Sequence, residues 1–274
     1  MEQSPSSPPL VKKDPSSWPP LGWRWEYYHA LLELVPDDLV VDEVLVGLHW
    51  TLVRSGDRVG MSMTYREGEV SVPQAGDFAG KPLREVARLV LSWNFVEAAI
   101  GVAAIGAGVN TRERVESLLG YPLESYDPKS AFDALREKLR GKRVAVVGHF
   151  PGIEELREDV ELTIFERAPL PGDTPDPAAE YLMAEQDAVF LTASTLVNKT
   201  FPRMLELARE KFLVLVGPST PMHPLLYTWG VDVLAGLVVL DPERVWRIAQ
   251  EGGHRRLFQE GAFRVNVPRH GGGL

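Results

Sequence analysis

Cysteine is absent from all 274 residues. Its absence excludes disulfides, thiolate nucleophiles and zinc–thiolate sites, and fits a reducing cytoplasm, the location expected for this chain. No apolar run approaches the roughly 20 residues needed to span a bilayer, so no membrane partner is expected. The first residues lack the apolar core of a signal peptide. Positive charge is in deficit: 29 Lys and Arg face 38 Asp and Glu, leaving a formal net charge of −9. General attraction to nucleic acid or to anionic lipid is thereby excluded. Three catalytic signatures are also missing. Without G-x-G-x-x-G there is no tight dinucleotide cradle. Without G-x-S-x-G there is no hydrolase elbow, and without H-E-x-x-H no compact zinc helix.

What is present is an ordinary globular composition, 45% hydrophobic, enough to build one large core or two modest ones. Residues 1–20 form a Ser/Pro-rich tail with little to bury, read as disordered. Trp23, Trp25, Tyr27 and Tyr28 then lead into a short helix, Ala30–Leu34, that ends before Pro36. From Asp42 to Tyr65 the apolar period is two: Val44, Val46, Leu48, Trp50 and Leu52, then Val59, Met61 and Met63. Ser55-Gly56-Asp57 supplies the turn, so the stretch reads as a β-hairpin with one buried face, and His49 as a surface residue. Helical spacing follows from Leu83 to Leu91, and Asn94 stands where the N-cap of a second helix would, running to about Val109. That helix is crowded with Ala and Gly. Each glycine weakens it by about 1 kcal/mol relative to Ala, which points to close approach of another backbone or of a ligand.

The second half alternates strand and helix. Val144–Val147 is a β-branched apolar run with charge before it and Gly148 after it, the pattern of a strand buried on both faces. Leu162–Phe165, Ala188–Leu191, Phe212–Val216 and Val233–Leu240 repeat it. Helices fall between them, and Pro242–Gln250 closes the series with Asp241 as its cap. Alternation of this kind predicts a parallel sheet with right-handed crossovers. The expected class is α/β: a parallel-sheet domain, residues 123–274, preceded by a small domain, residues 21–122, that holds the hairpin.

In open α/β sheets ligands bind outside the carboxyl ends of the strands. Those ends deliver Gly148-His149, Glu166-Arg167, Thr192–Thr195 with Asn198-Lys199-Thr200, and Gly217–Thr220. Glu166 follows Gly148 by 18 residues, close to the roughly 20-residue offset of a ribose-binding acid. Ser194, Thr195, Ser219 and Thr220 could hold an anion near helix N-termini; the same hydroxyls equally serve as caps. Lys199 is read as solvated. His149, Glu166, Asp173 and His223 share the edge, and imidazole with carboxylate suits a divalent metal such as zinc, iron, nickel or cobalt.

Several of these segments, in order, resemble the DUF364 family, whose label is heavy-metal chelation. They are Asn94–Asn110, Val147–Pro151, Ala193–Thr200, Gly217–Pro221 and Gly230–Gly236. The resemblance spans roughly Trp23 to Val267. It implies a first domain of the DUF4213 type, similar to the enolase N-terminal fold, then a Rossmann-like domain, with the site in the cleft between them. On that reading Asn94 and Asn110 face Gly148, His149, Glu166, Ser194, Thr195, Asn198, Gly217, Ser219 and Thr220 across the cleft. His149 and Glu166 are the metal- or substrate-facing pair. The absence of cysteine disfavours mercury and cadmium. The leading expectation is binding of a metal or of a metal-chelating small molecule. The alternatives are an enzyme acting on a nucleotide- or cofactor-like molecule in the same cleft, and an assembly protein working as a homo-oligomer.

Overall fold

A computed structural model of the protein describes residues 24–68 and 70–269. The expected Ser/Pro-rich tail, Trp23 and His270 lie outside the described residues. Helix α1 (Glu26–Leu32) precedes three strands, β1 (Glu43–Val46), β2 (Trp50–Ser55) and β3 (Arg58–Met63). These pair antiparallel in the order β1-β2-β3. The expected single hairpin is thus a three-stranded meander, because Gly47-Leu48-His49 interrupts what periodicity alone reads as one long strand. Nor is only one face buried. Leu52 and Val53 are neighbours with opposite orientations, and both are fully buried. Trp50, Leu52, Val59 and Met61 pack with Val245, Trp246, Ile248 and Ala249 from the end of the chain. The other face, with Thr51, Val53, Gly60 and Ser62, meets a helix whose small residues let it come close.

Helix α2 (Leu83–Ala87) continues as a 3-10 turn to Leu91 and is followed by that helix, α3 (Phe95–Val109). Asn94 caps α3 as expected: its Oδ1 accepts from the amides of Val96 at 2.9 Å and Glu97 at 3.3 Å. Every α3 residue from Ala98 to Val109 is buried. The close approach implied by its glycines is to backbone. Gly101 backs onto Leu89 and Val90, while Gly106 comes within 3.3 Å of the Cα of Gly60, measured from where its Cβ would stand. Helix α4 (Arg112–Leu119) and helix α5 (Ala131–Leu139) lead to the main sheet.

The five strands expected from the apolar runs all form: β4 (Arg143–Val147), β5 (Glu161–Glu166), then, beyond the two-residue β6 (Thr174–Pro175) and helix α6 (Ala179–Leu182), β7 (Ala188–Thr192). Helix α7 (Phe201–Leu207), strand β8 (Phe212–Val216), helix α8 (Leu225–Thr228), strand β9 (Val233–Val239) and helix α9 (Pro242–Gln250) follow. Strand β10 (Ala262–Pro268), which was not anticipated, turns back antiparallel along β9. The sheet order among the described residues is β10-β9-β8-β7-β4-β5-β6. Its parallel strands, β6 included, therefore run 3-2-1-4-5-6, with the switch point between β4 and β7. Both faces are buried. Val144 and Val146 pack with Leu135 and Leu139 of α5, whereas Ala145 and Val147 belong to the large core that also contains α3. That shared core fixes the small sheet against the large one, and the seam between them is where a cavity opens.

Candidate functional site

A cavity of about 800 Å³ lies above the carboxyl ends of β4, β5, β7 and β8. The main sheet contributes Gly148, His149, Glu166, Ser194, Thr195, Asn198, Gly217 and Ser219, and the small-sheet side contributes Trp50, Tyr65 and Arg66. Position follows from topology. At the β4/β7 switch point the loops leave the sheet in opposite directions and part a crevice between them. Gly148 starts the first loop at φ +98°, a conformation that excludes ordinary side chains. A Cβ there would also press on Thr192 at 3.2 Å.

His149 and Glu166 do come together. The His149 amide donates to Oε2 of Glu166 at 2.8 Å, and Oε1 accepts from the amides of Arg167 at 2.8 Å and Ala168 at 3.1 Å. Three backbone donors therefore hold the Glu166 carboxylate in place. The imidazole of His149 lies between two other carboxylates. Nδ1 is 2.9 Å from Asp173, which is almost fully buried, and Nε2 is 2.9 Å from the largely exposed Glu154. Asp173 is fixed in turn by the Leu170 amide at 2.9 Å.

The remaining expected residues divide into those facing the cavity and those holding the loops. Thr195 lines the cavity, but its hydroxyl donates to the Thr192 carbonyl at 2.6 Å. The Ser219 hydroxyl donates to Ser62 at 3.4 Å. Asn198 is committed to its own loop: Oδ1 accepts from the amide and hydroxyl of Thr200, while Nδ2 donates to Tyr65 at 3.4 Å. Thr220, Asn94 and Asn110 are not among the lining residues. Thr220 is fully buried and its hydroxyl donates to the Leu215 and Ala235 carbonyls. Asn94 is spent on capping α3 and on the Ser71 carbonyl at 2.6 Å. Asn110 stands at the C-terminus of α3 and ties it to the main sheet. Its Nδ2 donates to the Thr220 carbonyl at 2.9 Å and its Oδ1 accepts from the Met222 amide at 2.8 Å. His223, expected on the same edge, faces its own loop, where Nδ1 accepts from the Leu225 amide at 3.1 Å. Burial holds its pKa below the ordinary histidine value.

Tyr65 was not singled out from sequence. It follows β3 and reaches across the seam to donate its hydroxyl to the Ser194 carbonyl at 3.0 Å. Burial pushes its pKa up to about 12, so it remains a neutral donor at physiological pH. His254, read from sequence as a polar residue of a charged, glycine-rich end, lines the cavity. The His254 ring stacks on His49 with centroids 4.6 Å apart and on Trp50 at 5.7 Å, and the Trp50 indole donates to the His254 carbonyl at 2.9 Å. His49 is thus a packing partner of His254. The alternation Phe263, Val265, Val267 was the available signal for β10, the strand that brings Arg264 to the same wall.

Two family models match the chain. DUF364, described as "Putative heavy-metal chelation", covers residues 130–268, and DUF4213, with the same description, covers residues 28–109. A crystal structure of a DUF364-family protein of unknown function from Desulfitobacterium hafniense is similar at 35% identity, with a TM-score of 0.81 over 89% of this chain and 98% of that one. A second, from Pyrococcus horikoshii, is similar in fold at 21% identity, with a TM-score of 0.68 over 89% of this chain and 99% of that one. An uncharacterized protein of Methanocaldococcus jannaschii is 29% identical over 172 residues. That match takes in 60% of this chain and 63% of the relative, less than two thirds of its length.

Proposed function

We propose, for a chain that belongs to the DUF364 family, that the cleft binds an organic small molecule with metal-chelating groups, and that the ligand brings the metal. The observation that carries this reading is the state of the donor atoms. Among the described residues no three His, Asp or Glu side chains converge as a metal cage. Both His149 nitrogens meet carboxylates, and the Glu166 carboxylate already accepts three amides. The chain's own donors therefore do not fit a bare ion. The cavity, about 800 Å³, is instead within the roughly 300–1,000 Å³ range of small-molecule sites. Phe132 and Phe150, whose rings meet edge-on at 5.3 Å, offer apolar surface beside the polar rim of Glu166, Ser194 and Gly217.

The reading is tested by titrating chelator-stripped protein with zinc chloride and with nickel chloride. Weak uptake without defined stoichiometry is expected, and changing His149 to Ala together with Glu166 to Gln should leave it nearly unchanged. A tight one-to-one site lost in that double variant would replace the organic chelate with a protein-borne ion.

One observation favours a second reading, an enzyme acting on the same ligand. His149 is oriented by the buried Asp173, and only the exposed Glu154 covers its other nitrogen. Withdrawal of Glu154 would leave an aspartate-held imidazole facing the cleft, the arrangement of a general base. A solvent-dependent turnover abolished by Asp173→Asn would mark that case.

A further inference from the structure

Of the four hydroxyls expected to hold an anion, three are committed elsewhere, Thr195 and Thr220 to backbone carbonyls and Ser219 to Ser62, which leaves Ser194 on the cavity rim. Positive charge gathers on the opposite wall. Arg255 and Arg264 both line the cavity. Other arginines of this acidic chain find carboxylates, among them Arg54 with Glu243, Arg136 with Asp159 and Arg203 with Glu180, whereas Arg66 on the small-sheet side of the cavity donates to the Leu48 carbonyl. Arg255 and Arg264 form no ion pair within the described residues, although they lie close to each other and to His254.

We propose that Arg255 and Arg264 form an oxyanion subsite on the C-terminal wall of the cleft and take a phosphate or carboxylate group of its ligand. Three features support the assignment. First, the Arg264 guanidinium lies over the Phe258 ring, 5.2 Å from its centroid, which steadies a planar cation without using its N–H donors. Second, like charges stand close together: desolvation holds the pKa of Arg264 down, Asp133 offsets part of this, and the neighbouring Arg255 lowers it further. Asp133 is itself held by the Ser130 hydroxyl at 2.6 Å. Desolvation, His49 and Arg255 likewise lower His254. Like charges left facing one another are destabilising until a counter-charge arrives, and two guanidinium forks match the oxygens of phosphate or carboxylate. Third, Trp50 and Phe258 meet edge-on at 5.3 Å beside the cluster, so the anion would enter next to apolar surface. A chelator bearing phosphate or carboxylate groups has the charge this wall lacks. The subsite thus deepens the reading of the cleft as a small-molecule site and rests on it.

The test is calorimetric titration at fixed ionic strength with two probes, inorganic pyrophosphate and citrate. Wild-type protein is expected to bind at least one of them one-to-one; pyrophosphate alone assigns a phosphate-bearing ligand, citrate alone a carboxylate-bearing one. Arg255→Gln and Arg264→Gln should each weaken that binding about tenfold or more, the loss expected for a charged hydrogen bond. Arg256→Gln removes the same charge from a neighbouring position that pairs with Glu260 and should change it less than about twofold. Equal losses in all three variants, or no binding of either probe by folded wild type, would overturn the subsite. An organic ligand that co-purifies with a protein failing this test would spare the cleft reading. Pyrophosphate bound through Arg255 and Arg264 in a protein that carries a bare metal would spare the subsite and remove the chelate.

Discussion

Gly60→Ala is expected to destabilise the protein by about 3 kcal/mol or more, at the upper end of overpacking costs. A Cβ at Gly60 would lie closer than 3.0 Å to the Ala103 carbonyl oxygen, the Ala107 amide nitrogen and the Gly106 carbonyl carbon. All are backbone atoms of α3, so no side chain can swing aside. Gly101→Ala meets the same obstacle on the other side of the helix, against the backbone of Leu89 and Val90, and should cost as much. In an exposed helix the same change would gain about 1 kcal/mol, so the sign itself tests the packing. Gly106→Ala should fall between, because its nearest obstacle is the Gly60 Cα at 3.3 Å. Urea unfolding of the three variants measures this. A near-neutral value for Gly60 would mean that α3 does not sit on the small sheet as described, and one for Gly101 that it does not sit against the turn at Leu89 and Val90.

The second large effect concerns Lys199, read from sequence as solvated. Among the described residues it is the one non-glycine with positive φ, at +67°. That conformation turns its side chain away from the cleft-lining Asn198 and Thr200 and into the core. Nζ donates to the Val197 carbonyl at 2.9 Å and lies 5.6 Å from the centre of the Tyr28 ring. These contacts do not replace lost hydration, and burial lowers its pKa from 10.5 to about 7. Between those two values the unfolded chain binds more protons than the folded one, so the Lys199 contribution to stability rises with pH across that window. Below about pH 7 the ammonium is present in both states and the full burial cost is borne. Lys199→Met should accordingly be more stable than wild type at pH 6 by about 2 kcal/mol, a figure kept below the full shift because the carbonyl and ring return part of the cost. The advantage should fade towards pH 10. Lys199→Gly should retain about 1 kcal/mol even there, from relief of the left-handed backbone. A stability difference that does not vary with pH in Lys199→Met would contradict the burial of the ammonium. Denaturant unfolding at pH 6, 8 and 10 separates these outcomes.

Much of the main sheet was legible because strands buried on both faces need continuous apolar runs, and Val144–Val147 or Phe212–Val216 can hardly be anything else. Caps were legible for a related reason: Asn94 and Asp241 act on amides within three residues, so no distant information is required. The small sheet was misread because period two describes one face only. The face that period two describes is covered by α9, nearly 200 residues later; the second face, with Thr51, Val53 and Gly60, is covered by α3, and nothing local in β2 announces either. β10 was missed because Arg264 and Asn266 break its apolar run.

The site divides along the same line. Gly148, His149 and Glu166 were found because strand ends are local. Asn94 and Asn110 were placed in the cleft although their side chains are committed to capping and to the Thr220–Met222 loop, since sequence does not reveal which bonds a polar side chain has already made. Tyr65 reaches the cavity only through the packing of one sheet on the other, and Arg264 only through the pairing of β10 along β9. The DUF364 and DUF4213 matches fall on either side of residues 110–129, and Asn110 begins that junction.

The most direct test of the central claim is native mass spectrometry of protein purified without added metal or chelator, with elemental analysis of the same sample. The account predicts an organic mass bound one-to-one, with any metal leaving the protein together with it on denaturation. A stoichiometric metal held without an organic mass would contradict it.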